Sequence, residues 1–575
     1  MSRSFTVPKS SRRWLSLEML LLGAIAIAVL LRIIYLGSRE FWYDEVLSLI
    51  LASGHGIDYQ APGAQPVNLR DYSALLIPRA GDVVGTLKDV YKGILGDVHP
   101  PLSYFSLYFW LQLFGNSEAA LRSLGALLSV GAIGGAYGLG RFVMGHRGGL
   151  IFAALLGTNP FYLFHSLNAR MYGPLILWTI LSTWAMLQLV EAKEARESVQ
   201  ASEGEIEPDA TPLSPHHPNS RSSILWSAIL IVSIAAGLLT QYLFVYWVMT
   251  LGIFVLIFDR RRWWQHGLRL GAGVLLWMPW FLLGTRKQGR LGEVGNQFSK
   301  GNHFADVTQT LSSHLLLGDW VGDVVKTPAE ATLAIVTGCL IILLLAGCTL
   351  SLWRQGERRT LLMALSLGIL PLCIAFAVDI LTGKYTIGFG GGRALIFILP
   401  GCLLLIALWL ERAAGRWRGV AAAGLLLLYL SISIGDFSTR NRSMFHQIAD
   451  LIQQEPTTPT LIVMNSRAWG HILRLAYYLP PTAPVQLLAQ HPADLAPALE
   501  KVLGSGQAAQ YPRILWLDSA RPVNKAPKTE AEKQQIQQEI QGVLKSRYQL
   551  ATTQKLSGTT ILDEFAVKLY TNQNL

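Results

Sequence analysis

Charged side chains are scarce in this chain. They make up 15% of its 575 residues, against roughly 25% in an ordinary soluble protein. A soluble chain of this length needs far more polar surface to cover its cores, so the water-soluble globular class is excluded. Cysteine is scarcer still: Cys339, Cys348, Cys373 and Cys402 all lie in apolar runs, none with CxxC spacing. Neither a disulfide framework nor a zinc site is indicated. No internal repeat is visible, which counts against a transporter built from duplicated halves. The glycine run at 388–392 lacks the Gly-Lys-Ser/Thr ending of an NTP-binding loop.

What the chain has instead is apolar runs of about 18–24 residues, each long enough to cross a hydrocarbon core as a helix. They recur from Ser16 to Asp436 and do not alternate as barrel strands must. The formal net charge of +11 is not a nucleic-acid signature, because Arg and Lys cluster in short stretches between the runs. Residues 1–14 carry Arg3, Lys9, Arg12 and Arg13 and form a cytoplasmic start. The following run, 15–36, is an uncleaved first span. Residues 37–118 are then a first outer loop, and the apolar stretch 101–115 within it is an interfacial amphipathic helix. A second span, 119–142, returns to a basic turn with Arg141 and Arg147.

Later basic turns at Arg260–Arg262, at Arg354, Arg358 and Arg359, and at Arg412, Arg416 and Arg418 keep this alternation. About eleven transmembrane helices result, within a module at 15–436. Residues 191–221, acidic and rich in Pro and Ser, read as a disordered cytoplasmic loop. Residues 437–575 read as a small extracytoplasmic α/β domain. Its strands are expected at 461–464, 485–488, 513–517 and 565–570, and its helices at 466–478, 492–503 and 529–545.

Ionisable residues collect on the outer side, where their cost makes grouping informative. Asp44 and Glu45 follow span one; they are either a solvated loop start or a pair with chemistry. His99-Pro100-Pro101 opens the interfacial helix, where proline is structurally ordinary. Glu118 and Arg122 stand four apart, so Arg122 is either half of a helical ion pair or a phosphate ligand. Arg170 and Tyr172 end span three, with snorkelling the alternative for Arg170. Lys384 belongs to another outer turn. The glycines at 390–392 lead into Arg393, and the expectation is a helix start where free amides, dipole and guanidinium converge on an anion.

Trp42-Tyr43-Asp44-Glu45, His99-Pro100-Pro101-Leu102, Leu113-Phe114-Gly115-Asn116-Ser117-Glu118 and Leu121-Arg122-Ser123 resemble the family-39-like glycosyltransferases. These are relatives of protein O-mannosyltransferases and aminoarabinose transferases. Ala169-Arg170-Met171-Tyr172, Met278-Pro279-Trp280 and Arg393 with Pro400 extend the likeness in order, over approximately residues 15–412. The resemblance implies a polytopic all-α membrane protein of GT-C glycosyltransferase fold. It implies a polyprenyl-phosphate sugar donor and an extracytoplasmic active site; no cofactor is expected, and no residue cluster demands a metal, although an acidic pair could bind one weakly. The membrane would be of the bacterial plasma (inner) type, and the acceptor a protein, lipid or glycan.

By resemblance, Asp44 is the acidic residue of the first outer loop, a general base with Glu45 beside it. Arg122, Arg170 and Arg393 are phosphate-side candidates, and His99 orients a substrate. Relatives often carry His-Tyr where this chain has Gln241-Tyr242, and a glutamine cannot titrate near neutrality. A lipid-linked-sugar flippase or a noncatalytic membrane scaffold are the competing readings.

Overall fold

The structure is a computed structural model. It describes residues 9–203, 220–288, 301–319, 328–440, 443–504, 510–523, 525–558 and 562–572. Of the expected cytoplasmic start and loop, residues 1–8 and 204–219 lie outside the described residues. The chain divides into two compact units. One comprises Met1–Ile34, Leu95–Ser103 and Gly125–Gly435; the other comprises Tyr35–Ile94, Tyr104–Leu124 and Asp436–Leu575.

The first unit is helical. Among the described residues, eight helices are long and apolar enough to cross a membrane. They number nine if Arg358–Gly368 and Leu370–Thr382, bent by 42°, form one span. Reaching the expected eleven requires the shorter apolar helix Tyr242–Phe258 as well, and a separate crossing beyond Gly145. That residue interrupts Glu118–Thr158 at φ 84°, ψ −178°, a conformation open to glycine. Arg141 and Arg147 flank the interruption, and Arg147 Nε donates to Glu411 Oε2 at 2.8 Å. Leu275, Leu343 and Leu381 lie exposed on these helices, as lipid-facing side chains are. Helix Tyr172–Glu203 runs on past Glu191, so residues 191–203 are helical where a loop is expected. Good helix formers from 191 to 203 outweigh the charge that suggested disorder.

The second unit joins the first outer loop to the C-terminal region. Its helices include Tyr43–Ala52, Val83–Leu95 and Leu102–Phe114, the last two extending by one or two residues beyond the unit's bounds; Leu102–Phe114 is helical over the stretch for which an interfacial helix is expected. Its six strands are β1 (Val67–Asn68), β2 (Thr460–Met464), β3 (Val485–Ala489), β4 (Arg513–Ser519), β5 (Tyr548–Ser557) and β6 (Glu564–Asn572). They lie in the order β1-β3-β2-β4-β6-β5. β2 is parallel to both β3 and β4, and the remaining pairings are antiparallel.

Parallel strands covered on both faces read as continuous apolar runs. Accordingly β2 and β4 are buried at every residue. Leu461, Val463, Ile514 and Trp516 pack with Leu499, Ile540 and Leu544 of the flanking helices. Helices Trp469–Tyr478, Pro492–Gly504 and Glu530–Lys545 fall where the apolar pattern places them. Strand β5 was not expected. Its sequence YQLATTQKLS is exposed at most positions, and such an edge strand carries no period-two apolar signal.

Candidate functional site

The second unit holds Asp44, Glu45 and Arg122. Glu45 lies in the first turn of Tyr43–Ala52, and its Oε2 accepts the Trp42 N–H at 2.8 Å. Arg122 Nε and Nη2 meet the two Glu45 oxygens at 2.8 and 2.7 Å. The other N–H groups of Arg122 donate to the carbonyls of Leu36 (3.1 Å), Arg39 (2.8 Å) and Glu40 (3.0 Å). A guanidinium has five N–H donors, and all five are used here. Both side chains are 0% exposed. Burial would raise the Glu45 carboxyl, but the charge and hydrogen bonds of Arg122 outweigh it and hold it below the usual carboxylate range.

This arrangement corrects two expectations. Arg122 is not available to a phosphate, and Glu45 is not available to a substrate, because each saturates the other inside the fold. Glu118 is not the helical partner foreseen for Arg122; it accepts the Tyr478 hydroxyl at 2.5 Å. The neighbours of Asp44 are likewise fixed. The Tyr43 ring fills the space over Gly470, where a Cβ would come within 2.5 Å of it, and it meets His471 edge-on at 5.7 Å. Asp44 itself stays half-buried in the same first turn, where the helix dipole favours a carboxylate.

The first unit holds the other candidates and draws three of them together. His99 Nε2 lies 3.1 Å from Arg170 Nη2, and His99 Nδ1 lies 3.0 Å from Asp97 Oδ2. A guanidinium only donates, so Nε2 is the acceptor and the ring proton sits on Nδ1, given to Asp97. The His99 carbonyl accepts Gln288 Nε2 at 3.0 Å, and Gln288 Oε1 accepts the Tyr242 hydroxyl at 2.7 Å. Trp280 Nε1 donates to that hydroxyl at 2.8 Å. His99, Arg170 and Tyr242 thus belong to one half-buried polar chain completed by Asp97, Gln288 and Trp280. Asp97 stands two residues before His99 and could have been found from that spacing. Gln288 carried no signal.

Gln241 has a positioning contact: its Nε2 donates to the Ala394 carbonyl at 2.8 Å, beside Arg393. The glycine turn differs from expectation. Gly390, Gly391 and Gly392 have φ of 58°, 68° and 87° inside an irregular 3-10 segment, Phe389–Ile398, and the α-helix begins only at Leu399. No α-helix N-terminus therefore adjoins Arg393, and the dipole argument for an anion there falls. The glycines answer another need: a Cβ on Gly390 would come within 2.7 Å of Arg393 Nε, and one on Gly392 within 2.6 Å of Thr310 Oγ1.

Lys384 follows the left-handed Gly383 and donates its N–H to the Asp379 carbonyl at 3.0 Å. Tyr172 is buried with its ring edge-on to His165 at 4.7 Å. His165 in turn lies 2.9 Å from Asp319 in a wholly buried pair that no motif announced. Among the described residues, no group of three or more His, Cys, Asp or Glu could hold a metal ion.

The architecture defines a class: this is an integral membrane protein with the GT-C glycosyltransferase fold. Residues 98–200, which include His99 and Arg170, match the family model described as dolichyl-phosphate-mannose-protein mannosyltransferase. Ligand-free ArnT from Cupriavidus metallidurans is similar over 98% of both chains, with a TM-score of 0.52 at 13% identity. ArnT bound to undecaprenyl phosphate gives the same score and identity over 95% of this chain and 97% of that one. An oligosaccharyltransferase from Archaeoglobus fulgidus covers 96% of this chain and 73% of its own, at a TM-score of 0.45 and 12% identity. Among curated proteins no sequence matches significantly.

Proposed function

We propose that this chain transfers a sugar from a polyprenyl-phosphate donor to an extracytoplasmic protein, lipid or glycan, with inversion at the anomeric carbon. The observation that carries the reading is the Asp97–His99–Arg170 relay, whose last two residues lie in the segment matching the mannosyltransferase model. A similar fold has been solved with undecaprenyl phosphate bound, which supports a lipid-phosphate donor here. In the reaction, the acceptor hydroxyl attacks the anomeric carbon as the bond from that carbon to the phosphate oxygen breaks. The bonding pair leaves with the polyprenyl phosphate, and the hydroxyl proton passes to a carboxylate.

We assign that carboxylate to Asp44. Arg170 is assigned to the departing phosphate, where positive charge lowers the barrier as negative charge develops. His99 holds Arg170 in place, and Asp97 fixes the His99 tautomer. Arg393 and Lys384 supply further cations, and Tyr242 supports the relay through Gln288. The membrane is of the bacterial inner type, with the C-terminal region outside the cytoplasm.

The test incubates the purified protein, in lipid nanodiscs, with a panel of polyprenyl-phosphate sugars and follows release of polyprenyl phosphate. One donor should be consumed, and its consumption should fall with Arg170→Ala. Folded protein that consumes none of the panel would sink the transferase reading. A reporter fused after Phe437 should lie outside and one inserted near Ser214 inside; both on one side would defeat the threading.

A further inference from the structure

The C-terminal sheet contains a feature that the transferase chemistry does not use. β3 lies on one side of β2 and β4 on the other. The chain therefore leaves β2 for one edge and, after β3, crosses to the opposite side. The carboxyl ends of β2 and β4 mark this reversal of strand order, the place where open α/β sheets hold ligands. A cavity of about 310 Å³ opens there, within the range of roughly 300–1,000 Å³ usual for small-molecule sites.

Its floor is polar. Asn465 Nδ2 donates to Asp518 Oδ1 at 2.7 Å, and Gln537 Nε2 donates to Asp518 Oδ2 at 2.6 Å. The Ser519 N–H donates to Asn465 Oδ1 at 2.7 Å. Ser519 is 1% exposed, yet its hydroxyl has no hydrogen-bond partner. That hydroxyl has next to no accessible surface and lies behind the cavity wall; the polar side chains of the floor are Asn465, Asp518 and Gln537. Pro492, Ile536 and Ile540 supply an apolar wall, and the rim carries Arg521, Lys528 and Lys533 with Glu530, 3.5 Å from Lys533, as their counter-charge.

We infer that this cavity binds a neutral, hydroxyl-rich ring, a saccharide unit. An anion would meet the Asp518 carboxylate at the floor, and a cation would meet three basic side chains at the rim. A purely apolar ligand would bury the polar groups of Asn465, Asp518 and Gln537 against itself. Ring hydroxyls donate to the remaining lone pairs of Asp518, while the C–H face of the ring packs on the apolar wall. The site stands whether or not the chain is a transferase, because it belongs to the sheet and its loops.

The test uses the full chain in lipid nanodiscs, which avoid sugar-headed detergents. Methyl glycosides of mannose, glucose, galactose and arabinose are screened by ligand-observed saturation-transfer NMR, with inorganic phosphate as the comparator. At least one glycoside should bind. Gln537→Ala, a change at a half-buried position, and Asp518→Asn should each weaken that binding by about tenfold, the scale of one lost hydrogen bond. Arg170→Ala should leave it unchanged. Binding of no glycoside, binding indifferent to both cavity variants, or displacement of the glycoside by phosphate would overturn the assignment. Thermal unfolding of each variant identifies any that fails to fold, and Gln537→Ala then decides alone.

Discussion

Arg122 and Arg170 differ in how their surroundings use them. Arg122 is wholly buried, and each of its five N–H groups meets a carboxylate oxygen of Glu45 or a main-chain carbonyl. Arg170 is half-buried and touches an imidazole, itself backed by Asp97 and half-buried. Both stood in the sequence as arginines beside apolar helices, and both were phosphate candidates. Saturation and burial mark the first as a brace for the turn from Leu36 to Glu45. Partial exposure and a titratable neighbour suit the second to a ligand.

The comparison is broken most directly at Arg122. Arg122→Ala leaves the Glu45 carboxylate buried without its cation, at a cost of about 3–5 kcal/mol. The expected outcome is loss of folded protein, read by size-exclusion profile after extraction. A well-folded, donor-blind Arg122→Ala protein would return Arg122 to the substrate.

Asp44→Asn comes next. It should leave extraction and melting unaltered while lowering turnover by about two to four orders of magnitude, the usual scale for a general base. Near-normal transfer would remove Asp44 from the role. Arg170→Lys sharpens the contrast further: it keeps the charge but loses the planar fork. Donor use should weaken by about tenfold or more at saturating acceptor, with stability little changed; equal donor use would make Arg170 an interfacial anchor.

The smallest effect is on stability against pH. His471 is buried in the second unit, and burial followed by the Arg474 charge lowers its pKa to about 4. In the unfolded chain it is about 6.5. As pH falls, the unfolded chain takes up this proton first. The stability from the neutral ring is therefore whole above about pH 6.5 and is lost between there and about pH 4. The loss is on the order of 3 kcal/mol. Unfolding midpoints across that window should fall more steeply for the wild type than for His471→Gln; matching slopes would count against the buried neutral ring.

Legibility followed the length of the signal. The long apolar runs made the membrane class plain, and the strands of the C-terminal domain that are apolar along their whole length appeared within a few residues of their places. Strand β5 was hidden, because one polar edge strand looks like a loop until β6 pairs with it. At the candidate site, His99, Arg170 and Tyr242 were named from short motifs, but nothing in those motifs joins them. Gln288, the residue that links Tyr242 to the His99 backbone, lies 189 positions from His99. The glycine run was seen and its purpose misread, because a left-handed turn and a helix start call for the same residue.

Composition and periodicity alone determined that this chain must live in a membrane and carry a small α/β domain. Both follow from burial, which is written residue by residue along the chain. Only the tertiary structure decided which arginine is a saturated brace and which stays half-buried beside an imidazole, and that Asn465 and Gln537 converge on Asp518 in a cavity at the sheet's point of reversal. Those outcomes depend on how many hydrogen-bond partners converge on one side chain. The partners come from segments as distant in sequence as Glu45 and Arg122, so no local pattern records them.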